Sequence, residues 1–118
     1  MRGNWSDYDP YENRRAIAYI TVVKSGVYLS GAARDLMPKN TQYVTVSEDA
    51  THGKLRVRRC AKDHPKRMKF QKIGTGQAIV QSQKMVRSFS TPIELRSKFI
   101  ALPVDNGIEA DLNRKAEK

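Results

Sequence analysis

The sequence predicts an α+β domain, with small antiparallel sheets or hairpins and two short helices, laid out as a pseudo-twofold repeat of strand, turn, strand, helix and hairpin. Three observations carry this expectation. β-Branched and aromatic runs recur between turn signals. Two glycine-bearing turns, Ser25-Gly26 and Thr75-Gly76, sit at matching places in the two halves. Two serines, Ser30 and Ser82, each precede a short helical stretch. With 118 residues the chain suits one domain, residues 15–112. The half-repeats, 15–60 and 68–112, are each too small to bury their own apolar faces and should share one core.

Residues 15–23 hold Ile17, Tyr19, Ile20, Val22 and Val23 and read as a buried strand. Gly26, free to take positive φ, turns the chain into a short returning strand at Val27–Leu29. Ser30 caps a helix over 31–37, which Pro38 stops. Residues 43–47 and 54–59 alternate around a polar loop ending in Gly53, the pattern of a hairpin. Met68–Ile73 is a strand with Phe70 in the core, and Gln77–Val80 is a short partner. Ser82 caps a second helix through Phe89. Thr91-Pro92-Ile93-Glu94 fits a capping box, but the alternation from Ile93 to Ala101 favours a strand. Asn106-Gly107 marks a hairpin between 99–104 and 108–112. The shared core should include Ile17, Ile20, Leu36, Val86, Phe89 and Phe99. Residues 1–14 read as an irregular arm in which Asp7, Asp9 and Glu12 stand among Trp5, Tyr8 and Tyr11, and 113–118 read as a disordered polar tail.

Composition narrows the function to binding. The net charge is +10, and residues 54–72 hold nine bases, Lys54, Arg56, Arg58, Arg59, Lys62, Lys66, Arg67, Lys69 and Lys72, against the single acid Asp63. That segment alone carries +8. Charge of one sign at this density repels itself, and a polyanion is the natural counter-charge. If 54–59 is a strand, Lys54, Arg56 and Arg58 share one face while Leu55 and Val57 face the core, which sets cations about 6.6 Å apart along a line. Arginine at 56, 58 and 59 suits bidentate contact with phosphate or guanine. A strand should hold these three more firmly than a loop holds Lys66, Arg67 and Lys69, and so give them more of the affinity. The competing reading, a basic edge that discourages strand-to-strand aggregation, needs fewer charges than nine.

Catalytic chemistry finds little support. His52, His64 and Cys60 are the soft ligands, and their spacing matches no zinc motif, so neither a metal nor any other cofactor is expected. Gly74-Thr75-Gly76-Gln77 lacks the rest of a phosphate-binding loop. No apolar run approaches the ~20 residues of a membrane span, and one cysteine excludes an internal disulfide, so the expectation is a cytoplasmic, non-enzymatic protein without membrane contact.

Val23-Lys24-Ser25-Gly26-Val27-Tyr28-Leu29-Ser30, then a short helix, Tyr43-Val44-Thr45-Val46 and Leu55-Arg56-Val57, resembles the AbrB-type swapped-hairpin regulators across residues 15–60. Pro92-Ile93-Glu94-Leu95-Arg96 is similar to the same family's short-helix motif. The chain departs from the family in lacking a proline at the start of the first helix and in its long loop at 48–53. The overall pattern also resembles small uncharacterised proteins of phages and mobile elements. The first resemblance implies a DNA-binding transcription regulator, with a homodimer open. The second implies an inhibitor, of the anti-CRISPR kind, that binds a host nucleic-acid-handling protein complex. DNA, RNA and protein partners all stay open at this point, since each wants a basic surface.

Overall fold

A computed structural model describes residues 17–74 and 76–115. The elements are β1 (Tyr19–Val23), β2 (Gly26–Leu29), α1 (Gly31–Leu36), β3 (Tyr43–Asp49), β4 (Lys54–Arg59), β5 (Met68–Lys69), β6 (Gln71–Ile73), β7 (Gln77–Gln81), α2 (Gln83–Arg87), β8 (Lys98–Val104) and β9 (Gly107–Lys115). All strand pairs are antiparallel, and they form a single nine-stranded sheet in the order β5-β3-β4-β9-β8-β1-β2-β7-β6. The two strands at its ends are one stretch of chain. β5 pairs with the start of β3, β6 pairs with β7, and only Phe70 lies between them. The Phe70 N–H donates to Gln42 O at 2.9 Å, so the segment crosses from one end of the sheet to the other without leaving it. The sheet is thereby bent into a nearly closed barrel.

This architecture overturns the α+β expectation. Among the described residues strand makes up 49% and helix only two short segments, so the domain is far more β than α+β. The helices, of six and five residues, are too short to form a layer of their own. The two half-repeats do not make separate small sheets either. Their strands interleave: β2 pairs with β7, β4 with β9, β1 with β8, and β3 with β5. Exchanging the halves leaves these neighbour relations unchanged. Closing one ring buries more apolar surface than two open hairpin pairs would, and it leaves few free edges.

The inward residues obey the alternation of the strands. Ile20, Val22, Val27, Leu29, Val44, Leu55, Val57, Val80, Phe99 and Ile108 are buried in one cluster. Ala33 and Met37 bring α1 into that cluster, and Ser30 caps α1 by accepting from the Ala33 N–H at 3.2 Å. Ser82 caps α2 in the same way, accepting from the Met85 N–H at 3.0 Å. Four expected core residues differ in place, Val86 on α2 being only half-buried against the core. Ile17 and Leu36 are exposed, at 46% and 37%. Phe89 lies beyond the end of α2 and packs against the core half-buried.

Other local expectations are corrected by the pairing. Gly26 is a strand residue without positive φ; it is needed because a Cβ there would lie 2.2 Å from Val80 O of the neighbouring strand. Residues 91–97 are neither a capped helix nor a strand, and β8 begins only at Lys98. The reason is Glu48, whose carboxylate accepts from the N–H groups of Ser90 and Thr91 at 2.9 and 2.6 Å and draws that segment across the end of β3. The β8–β9 turn is centred on Asp105 and Asn106, with Asn106 at φ 65, and Gly107 is already paired with Val104 and Arg58. β9 runs on to Lys115, where a disordered tail was expected from residue 113. The acidic aromatic arm, Thr75 and the last three residues lie outside the described residues. No described helix is long and apolar enough to cross a membrane.

Glu48 also sets an acid limit on this arrangement. Burial raises its pKa, but the hydrogen bonds from Thr91 and Ser90 outweigh that and hold it below the ordinary 4.5. A carboxylate depressed in the folded state contributes stability that is present above about pH 4.5 and is lost as the pH falls through the folded value. Glu48→Gln is expected to cost about 1 kcal/mol at pH 7, and the gap to wild type should shrink on acidification below the ordinary carboxylate pKa. Urea unfolding of both proteins across this range checks it, and a gap that stays constant would contradict the role given to the charge.

Candidate nucleic-acid interface

The nine bases predicted as a binding surface all lie on the outside of the barrel or at its rim, but the structure divides them into three groups. β4 is the central strand of the first group, flanked by β3 and β9. It is therefore not a sheet edge, and protection of an edge does not account for its charge. Leu55 and Val57 point inward at 1% exposure each, while Lys54, Arg56 and Arg58 line the outer face as expected from the alternation.

The neighbours of these three side chains differ along the strand. Lys54 stands in register between Asp49 and Asp111, and Arg56 between Ser47 and Glu109. The Glu109 carboxylate accepts from Arg56 Nε at 2.6 Å and lies 3.5 Å from Lys54 Nζ. The Arg56 guanidinium, with Lys54 beside it, holds Glu109 below its ordinary range against an opposing push from burial. His52 Nδ1 is 2.8 Å from Asp49 Oδ2 at the same end. This half of the strand is close to charge balance. Arg58, in contrast, stands between Thr45 and Gly107, which offer it a hydroxyl and no side chain. Sequence reasoning missed Glu109, since nothing in the local pattern says that β9 comes to lie beside β4.

The second group begins where Arg58 points. Arg59, Lys62, Lys66 and Arg67 surround the connection from β4 to β5, and among the described residues Arg58, Arg59, Lys62 and Lys66 join no ion pair. The connection is folded into two successive turns, His64 N–H to Ala61 O at 3.1 Å and Arg67 N–H to His64 O at 3.2 Å. His64 Nδ1 accepts from the Lys66 N–H at 3.0 Å, and Arg67 Nη1 donates to His64 O at 3.2 Å. These bonds order the loop backbone and tie down the Arg67 side chain. Arg56, by contrast, is already paired with Glu109. A groove of about 250 Å³ between Arg58, Arg59, Cys60, His64 and Asn106 marks the centre of the group. Burial pushes the Cys60 thiol up, against a smaller pull from Arg67, which favours its protonated form.

Lys69 and Lys72 form the third group, on β5 and β6, one step round the barrel. Among the described residues no group of three or more His, Cys, Asp or Glu is placed to hold a metal ion. His52 and His64 lie beyond opposite ends of β4, bound to separate partners. Comparison with protein-family models, curated proteins and solved structures finds no match to this chain.

Proposed function

We propose that the protein is a non-enzymatic, cytoplasmic nucleic-acid-binding protein that docks the phosphate backbone on the face formed by Arg58, Arg59, Lys62, Lys66 and Arg67. The observation that carries this is the charge imbalance along β4: acids neutralise its Lys54–Arg56 end, while the Arg58 end opens onto a folded loop whose bases join no ion pair among the described residues. Unpaired cations held close together cost the fold repulsion, and phosphates relieve it. A DNA-binding regulator of the swapped-hairpin kind is the role that fits best. The hairpin β3–β4 of one half is clasped between strands of the other half, β5 and β9, which is the interleaving that such a regulator would need.

Titration of a fluorescent DNA duplex at several salt concentrations tests the reading. Five phosphate contacts should give a log–log slope of about −4.5. A flat salt response, or no binding at low salt, would sink the proposal. Tight, salt-insensitive capture of a host nucleic-acid-handling complex in place of DNA or RNA would favour the inhibitor reading instead.

A further inference from the structure

A second basic surface is assembled from residues far apart in sequence. Two grooves, of about 700 and 430 Å³, meet across Phe70 and share Asn40, Thr41 and Lys72 in their walls. Lys69 lines the first, Arg34 and Lys39 line the second beside one acid, Asp35, and Lys72 lines both. Arg34 comes from α1 and Lys39 from the connection to β3, at least 30 residues before Lys69. They arrive here because β5 pairs with the start of β3 and the Phe70 N–H is fixed to Gln42 O, which lays the 38–42 connection alongside β5 and β6. Among the described residues none of these four bases is in an ion pair.

The first groove also carries an aromatic ring. Tyr43 is the register partner of Lys69, so the two side chains leave the same face of the sheet side by side, and Tyr43 is half-buried in the groove wall. Cations that follow a groove, with an aromatic face among them, match the chemistry of an unpaired strand: phosphates take the charges and a base stacks on the ring. A duplex keeps its bases stacked on each other and offers none to Tyr43. We propose that this groove binds single-stranded nucleic acid, with phosphates at Arg34, Lys39, Lys69 and Lys72 and one base against Tyr43. The inference rests on the nucleic-acid reading above and adds the class of strand.

The test compares a fluorescent oligo-dT 20-mer with a duplex of equal length, using the full chain, Arg34→Gln/Lys39→Gln, Tyr43→Ala and Tyr43→Phe. The double variant and Tyr43→Ala are each expected to weaken single-strand binding about tenfold while leaving the duplex within about twofold. Tyr43→Phe, which keeps the ring and guards against a folding artefact, should bind as wild type does. Equal losses on both substrates, or no loss on the single strand, would overturn the inference. Wild-type binding to duplex alone overturns it while the reading of the Arg58 face stands, and binding to neither overturns both.

Discussion

Replacing Gly107 by alanine is expected to lower the melting temperature by roughly 12 °C, corresponding to about 3 kcal/mol. A Cβ at this position would lie 2.0 Å from Val57 O and 2.7 Å from Arg58 Cα. Both are backbone atoms of β4 in the middle of the sheet, so neither can turn aside as a side-chain tip would. The β4–β9 pairing must open around Arg58↔Gly107, and with it the junction between the two halves of the barrel. Gly76→Ala is the control, since nothing stands within 4 Å of its Cβ and its φ is not positive. Its stability should stay within about 0.5 kcal/mol of wild type. Thermal unfolding of the two variants checks the pair, and a Gly107→Ala protein that melts with wild type would disprove the close β4–β9 approach.

The largest change in binding is expected from two substitutions of opposite sign on neighbouring strands. Arg58→Gln/Arg59→Gln removes two guanidinium groups that join no ion pair among the described residues, and should weaken duplex binding about a hundredfold, on the order of 1.4 kcal/mol for each charge-assisted contact. The salt slope should flatten by about 1.8. Glu109→Gln acts the other way. In the free protein its carboxylate occupies Arg56 and Lys54 as a phosphate would. Neutralising it frees both cations on the face that Arg58 continues, and duplex affinity should rise about tenfold with a steeper salt slope. Fluorescence anisotropy over a salt series reads both effects, and unchanged melting temperatures separate them from unfolding. An unchanged affinity in the arginine variant would remove the Arg58 end from the interface, and a weaker Glu109→Gln protein would contradict its role as an internal competitor.

What the sequence determined by itself is local. The alternation of Leu55 and Val57 with Lys54, Arg56 and Arg58 settled which face of β4 is wet, because side chains on a strand alternate whatever it pairs with. Ser30 and Ser82 announced their helices because a cap bonds to an N–H three residues away. The turn after Val104 was legible for the same reason, although its positive φ falls on Asn106 while Gly107 serves a close strand contact.

The tertiary structure decided everything that depends on which strands become neighbours. The α+β expectation failed because short-range signals show hairpins but not that hairpins from both halves will close on one another through the segment around Phe70. The nine bases looked like one uniform stripe. Pairing with β9 then placed Glu109 on Arg56, left Arg58 facing Gly107, and carried Arg34 and Lys39 to the side of Lys72. Each of these contacts joins residues more than 30 positions apart. No local period records such a pairing, because it is selected by the apolar surface that the whole ring buries at once.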